Sequence, residues 1–270
     1  MALWHNGRIC KSARMDATSA GLLLGWGVFT TIGIRDGRPL WLDLHLRRLR
    51  RDAARCEIEV PFSDAELGKG LANLLRMRDV QNGLARLTVA RQDDGRWNVA
   101  RGVDCSIVAL ETASTKTRGL QVCFAPAPSQ GELVGVKTTS YLPYFWSWRR
   151  AVAEGFDEVI LFDSLGRAVE AARASLFWVV RGQLQTTALS FGALEGVGRE
   201  VVLDWARSHG VKMKECEIRY SDLGCCDEVF LVSAATGPRS VHSLCGEANE
   251  YVLAEECPIY DALRAWWDDQ

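Results

Sequence analysis

No apolar run in this 270-residue chain approaches the roughly 20 residues a membrane-spanning helix requires, which argues against an integral helical membrane protein. Charge of one sign is also missing: the formal net charge is −2, so there is no basic footprint for nucleic acid. The opening Met1-Ala2-Leu3-Trp4-His5-Asn6-Gly7 lacks the apolar core and cleavage site of a secretory signal, and the expected location is the cytoplasm. There is no C-x-x-C pair and no ladder of metal-ligand spacings, although cysteine itself is plentiful at nine. The odd count, and the apolar surroundings of Cys56, Cys105 and Cys123, fit thiols in a reducing cytosol rather than a disulfide framework or a zinc site. Neither internal repeats nor low-complexity tracts occur. What remains is 48% hydrophobic and 24% charged, the balance of a soluble globular protein of one large or two ordinary domains.

The pattern along the chain is mixed. Residues 3–10 read as strand, with a turn at Asn6-Gly7. Gly21 to Gly27 is apolar and glycine-rich, which predicts close backbone packing. Val28 to Ile34 is a strand, Arg35-Asp36-Gly37-Arg38 a hairpin turn and Pro39 to Leu42 its return. Asp43 is the expected N-cap of a helix to about residue 56, with Leu46, Leu49 and Ala53 on one face. Ser63-Asp64-Ala65-Glu66 is a capping box opening a helix that buries Leu67, Leu71, Leu74 and Leu75. Strands follow at 84–91 and 104–110, joined through a turn at Gln92-Asp93-Asp94-Gly95. The expected division is an α+β domain over 1–112, a connection over 113–125 and a second domain over 126–270.

Within the second half, Gly135-Val136-Lys137-Thr138-Thr139-Ser140-Tyr141 precedes an apolar helical pattern of Leu142, Phe145, Trp146 and Val152. Strands are expected at 155–162, 175–180, 183–186, 211–218 and 227–233. Gly192-Ala193-Leu194-Glu195-Gly196-Val197-Gly198-Arg199 leads into a helix ending near Ser208, and Pro258 to Trp267 forms a last helix with Ile259, Leu263 and Trp266 or Trp267 inward. A buried lysine has a depressed pKa and acts as an amine nucleophile. Taken alone, Lys137 is better read as a solvated residue at a helix start.

The order of these features resembles the class IV, fold-type IV pyridoxal 5′-phosphate (PLP) enzymes, which include branched-chain and D-amino-acid aminotransferases and 4-amino-4-deoxychorismate lyase. The features are Lys137, Gly155-Phe156-Asp157-Glu158 before a strand, Glu170, a further strand, and Gly196-Val197-Gly198-Arg199 opening a helix. The resemblance covers nearly the whole chain. It implies two α/β (α+β) domains with the cofactor in the interdomain cleft, a homodimer and a small-molecule amino substrate, with no nucleic acid, membrane or metal involved.

The same resemblance assigns roles. Lys137 holds the cofactor aldehyde as a Schiff base and serves as acid and base. Glu170 faces the pyridine nitrogen; an edge-strand surface carboxylate is the plain alternative. Arg48, in His45-Leu46-Arg47-Arg48-Leu49, inherits the role of phosphate ligand, although Arg47, Arg50 and Arg51 crowd the same helix. Val197 and Gly198 offer backbone N–H groups and a helix dipole to the phosphate. The family has Thr or Ser where this chain has Gly198, and Ala234 stands at a second hydroxyl position, with Ser233 beside it as a substitute. Tyr141 resembles a tyrosine that hydrogen-bonds the cofactor hydroxyl, or it is a core aromatic.

For the reaction, Gly27-Val28-Phe29-Thr30-Thr31 is similar to the lyase version of this strand, in which a threonine, here Thr30, assists proton transfer. Aminotransferases of the family more often carry an acidic residue after the aromatic. Phe29 replaces the tyrosine of the D-amino-acid carboxylate trap. Arg91 matches its arginine, as a substrate ligand or a strand-end surface residue, but no histidine follows. The lyase, forming 4-aminobenzoate for folate biosynthesis, is placed ahead of a branched-chain-type aminotransferase, with a lapsed binding protein as a minor alternative.

Overall fold

The computed structural model describes residues 2–92, 102–112, 116–129, 131–246 and 250–270. They form two compact units, Met1–Ser114 with Val136–Tyr141, and Thr115–Gly135 with Leu142–Gln270. The six residues around Lys137 thus pack with the first unit, whereas the sequence expectation placed them in a second domain over 126–270. Part of the 92–95 turn and of the 113–125 connection falls outside the described residues.

The first unit contains β1 (Leu3–His5), β2 (Arg8–Cys10), α1 (Ala20–Leu23), β3 (Gly27–Arg35), β4 (Arg38–Pro39), α2 (Leu42–Arg55), α3 (Asp64–Arg78), β5 (Gly83–Arg91) and β6 (Val103–Glu111). The sheet order is β2-β1-β6-β5-β3-β4, antiparallel throughout. Tight turns follow from two X-Gly pairs with positive φ, Asn6-Gly7 and Asp36-Gly37, as the sequence predicts.

Alternation decides which residues of β3 and β5 enter the core. Val28, Ile32, Ile34, Ala85, Leu87 and Val89 pack with Leu46, Leu49 and Ala53 of α2 and with Leu67, Leu71 and Leu74 of α3. Each such leucine contributes about 1.5–3 kcal/mol by leaving water. α3 starts on the expected capping box: Ser63 accepts from the Glu66 N–H, and Glu66 accepts from the Ser63 N–H. α2 starts differently from expectation. Its N-cap is Trp41 in left-handed conformation with no side-chain cap, so Asp43 lies inside the first turn, where its charge suits the helix dipole. The return strand stops at Pro39 for the same reason: the chain is already turning into α2.

The second unit contains β7 (Leu120–Pro126), α4 (Leu142–Ala153), β8 (Glu158–Phe162), β9 (Ala168–Ala171), β10 (Ser175–Val180), β11 (Gln183–Thr187), α5 (Val197–Ser208), β12 (Met213–Cys216), β13 (Glu228–Ser233), β14 (Gly237–Cys245), β15 (Glu250–Val252) and α6 (Pro258–Asp268). Its sheet runs β12-β11-β10-β13-β14-β7-β8-β9, with β15 paired to β14. The pairs β11/β12, β14/β7 and β7/β8 are parallel. The interior strand β14 is not legible in the sequence, because Gly237-Pro238-Arg239-Ser240 carries no alternating apolar signal.

The α4 face departs from expectation, and the α6 face matches it at Leu263 and Trp267. α4 forms, but Leu142, Phe145, Trp146 and Val152 lie exposed, and the buried residues are Tyr144 and Ala151. In α6, Tyr260, Leu263 and Trp267 are buried, while Ile259 and Trp266 are half-buried. All nine cysteines are free thiols; Cys56 and Cys105 are buried and Cys123 is half-buried. Among the described residues no helix is long and apolar enough to cross a membrane.

Candidate active site

Lys137 is positioned by the edge of β3. Phe29 N donates to Lys137 O at 3.1 Å, Thr139 N donates to Gly27 O at 2.8 Å, and Val28 bridges Thr138. Asp52, buried on α2, accepts from Lys137 N at 3.2 Å. The segment also needs a bare backbone opposite it: a Cβ on Gly25 would lie 3.2 Å from the Ser140 Cα, and one on Gly27 would lie 2.8 Å from Val89 O. The glycine-rich stretch is therefore a close-packing element, as predicted.

The lysine side chain runs across an aromatic floor. Its Nζ lies 3.4 Å from the Tyr141 hydroxyl, 4.5 Å from the Tyr141 ring and 4.8 Å from the Phe29 ring. Phe29 and Tyr141 meet edge to face at 5.3 Å. Arg86 places its guanidinium 3.6 Å from the centroid of the same Phe29 ring. Strand register explains the grouping. Thr31 pairs with Arg86 and Phe29 with Thr88, so Phe29, Thr31, Arg86 and Thr88 occupy one face of the sheet.

Thr30 falls on the other face. It is fully buried against α2, where its Oγ1 lies 2.6 Å from His45 Nδ1 and accepts from Arg48 Nη2 at 2.7 Å. The threonine that shares the lysine's face is Thr31, which corrects the sequence expectation for Thr30. Arg91 falls in step with the core-facing residues of β5. Its Nη1 donates to Glu57 O at 2.9 Å, and its guanidinium rests 4.7 Å from the Trp26 ring. Arg86, which sequence reasoning missed, is the arginine on the face of Lys137; period-2 counting from Phe29 through the pairing register would have found it.

Arg48 is buried, unlike the exposed Arg47 and the half-buried Arg50 and Arg51. Burial lowers its pKa to about 10, partly offset by Asp52 one turn on. Its Nε has no partner among the described residues. A buried guanidinium with open donors is the arrangement that takes an anion. Burial, and then the neighbouring charges of Arg48 and Lys137, push His45 down to about 3, so its ring is uncharged at neutral pH.

In the second unit, Glu170 sits on the edge strand β9 yet is only 9% exposed, which removes the surface-carboxylate alternative. Its Oε2 accepts from Leu194 N at 3.2 Å. The Tyr144 hydroxyl hydrogen-bonds it as well, and burial together with that carboxylate pushes the Tyr144 pKa up. Tyr144, on α4, was not found from sequence.

Gly196 is the N-cap of α5, and Val197 and Gly198 are its first residues, with N–H groups that have no acceptor inside the helix. A Cβ on Gly198 would lie 2.8 Å from Ala234 N and 2.9 Å from Ser233 C. The backbone at the end of β13 thus fills the place a side chain would take. The Ser233 hydroxyl lies 2.8 Å from Thr236 Oγ1 and accepts from Thr236 N at 3.1 Å, so it is engaged in the β13–β14 turn.

Comparison with known proteins gives this geometry its context. Residues 27–244 match the family model described as amino-transferase class IV. The aminodeoxychorismate lyase of Bacillus subtilis is 25% identical over 86% of this chain and 83% of its own. The crystal structure of a branched-chain aminotransferase from Thermoproteus uzoniensis superposes with a TM-score of 0.88 at 26% identity, covering 98% of this chain and 93% of that one. The Escherichia coli branched-chain amino acid aminotransferase has a TM-score of 0.90 at 22% identity over 99% and 93% of the two chains. The chain is a member of the class IV aminotransferases, a family of pyridoxal 5′-phosphate enzymes.

Proposed function

We propose that this enzyme binds PLP through Lys137 and uses it on an amino substrate carrying carboxylates, with 4-amino-4-deoxychorismate lyase as the leading reaction. The observation that carries the reading is the face of β3 that gathers Lys137, Tyr141, Phe29, Thr31 and Arg86. PLP, when bound, supplies the electron sink that makes a substrate α-proton acidic. The residues present fit the group. Arg48 is a buried cation with an open Nε, and α5 begins with free N–H groups beside a glycine whose Cβ position is crowded by backbone.

Each residue then has a task. Lys137 Nζ would hold the cofactor and would carry the substrate α-proton. Tyr141 holds Nζ through its hydroxyl. Glu170, fixed by Leu194 N–H and Tyr144, supplies the carboxylate for the pyridine nitrogen. Val197 and Gly198 offer backbone donors to the phosphate, and Arg48 offers its charge. The hydroxyl of Ser233 is taken by its own turn, which leaves that residue a backbone role. Arg86 binds a substrate carboxylate, and Thr31 is the hydroxyl group available to shuttle a proton for the lyase.

The second reading is a branched-chain-type aminotransferase, favoured by the 26% identity to the Thermoproteus enzyme across nearly the whole chain. Both readings imply a cytoplasmic homodimer, in which the exposed Leu142, Phe145 and Trp146 of α4 form part of the contact. The discriminating experiment offers the purified enzyme aminodeoxychorismate and, separately, leucine with 2-oxoglutarate. Release of 4-aminobenzoate and pyruvate without an amino acceptor supports the lyase; glutamate formation moves the assignment to the aminotransferase.

A further inference from the structure

His45 is a buried titratable group that the proposed chemistry leaves unused. It is 1% exposed, and its Nε2 has no partner among the described residues. It lies three residues before Arg48, so the two side chains leave the same face of α2. Thr30 meets both from β3.

One link in this chain of hydrogen bonds has its direction fixed by chemistry. A guanidinium has donors and no acceptor, so Arg48 Nη2 donates to Thr30 Oγ1 at 2.7 Å. Thr30 Oγ1 and His45 Nδ1 lie 2.6 Å apart and share one hydrogen, supplied by the hydroxyl or by the ring according to the tautomer. The run reads Arg48 to Thr30 to His45, each link buried. It is the one hydrogen bond that the Arg48 guanidinium makes among the described residues.

We propose that His45 and Thr30 are positioning residues that hold one edge of the Arg48 guanidinium, so that its remaining N–H groups are aimed at the phosphate dianion of the cofactor. The proposal rests on the reading of Arg48 as a phosphate ligand. It gives His45 a task without contact with cofactor or substrate, and it gives Thr30 the same task in place of proton transfer. A histidine that merely filled core volume would support the fold but would not discriminate a phosphorylated ligand from an unphosphorylated one.

The test titrates the apo protein with PLP and with pyridoxal, which lacks the phosphate, and takes the ratio of the two dissociation constants. Arg48→Leu sets the size of the phosphate contribution. His45→Leu and Thr30→Val remove the hydrogen-bond partner and the relay at similar volume. His45→Asn, whose amide oxygen reaches the place of Nδ1, and Thr30→Ser restore them. The expected result is a fall in phosphate preference of about tenfold or more in His45→Leu and Thr30→Val, with Asn and Ser within about twofold of the parent. Preference unchanged in His45→Leu, while Arg48→Leu loses it, would overturn the proposal. Preference unchanged in Arg48→Leu would instead overturn the phosphate-ligand reading beneath it. Should His45→Leu fail to fold, the Thr30→Val and Thr30→Ser pair carries the test by the same criterion.

Discussion

Replacing Gly198 by threonine, the residue type the family favours there, is expected to harm this enzyme. A hydroxyl at the start of α5 would add a phosphate donor if there were room for it. There is none: the first added carbon would stand 2.8 Å from Ala234 N and 2.9 Å from Ser233 C, and both are backbone atoms at the end of β13. Backbone in a nine-stranded sheet yields less easily than a side-chain tip. Overpacking of this kind costs about 1–3 kcal/mol. For chains of this size each kcal/mol lowers Tm by about 2–4 °C, so Gly198→Thr and Gly198→Ala are expected to melt roughly 2–12 °C below the parent in the apo form. PLP affinity falls as well, because the displaced atoms adjoin the N–H groups offered to the phosphate. Thermal unfolding of the apo protein and a PLP titration measure the two effects. A Gly198→Thr variant that melts with the parent and binds PLP more tightly would refute the packing argument.

Other expectations follow from the same geometry. Thr31→Val lowers lyase turnover severalfold and leaves PLP affinity unchanged, which stopped-flow kinetics and titration separate. Arg86→Leu raises KM for a carboxylate-bearing substrate by about tenfold or more, the loss expected for a charge-assisted contact, whereas Arg91→Leu leaves KM near the parent value. Asp52→Ala removes a buried carboxylate that accepts from Lys137 N and Arg51 and neighbours the Arg48 charge; the expected loss is about 3–5 kcal/mol in urea unfolding. His45 has a folded pKa of about 3, below its ordinary 6.5, so the unfolded chain binds more protons between those values and stability falls as pH drops through that window. His45→Asn flattens the fall, as denaturant midpoints between pH 7 and 4 would record.

Much of this architecture is written in local chemistry. Asn6-Gly7, Asp36-Gly37 and Arg181-Gly182 all adopt the positive φ pairs that their hairpins demand. The Ser63–Glu66 box and the alternation along β3 and β5 also follow from residue type alone. The candidate site residues Lys137, Arg48 and Glu170 come from the order of motifs. Less legible were features set by partners distant in sequence. β14 is interior because β13 and β7 flank it, and its Arg239, Ser240 and Ser243 are buried polar residues that no hydropathy pattern marks as strand. Trp41 caps α2 through a left-handed backbone that its side chain does not announce. Thr30 and Thr31 are adjacent and chemically identical; only the face of the sheet tells them apart, and that face is set by pairing with β5 and packing on α2.

The central claim, that Lys137 is the cofactor-bearing lysine, is tested most directly by covalent trapping. The protein is loaded with PLP, its absorbance spectrum recorded, reduced with borohydride, digested and examined by mass spectrometry, with Lys137→Ala in parallel. A visible-edge absorbance band and a phosphopyridoxyl mass increment on the peptide holding Lys137, both absent from the variant, are the expected result. A modification elsewhere, or no cofactor band after PLP is added, would contradict it.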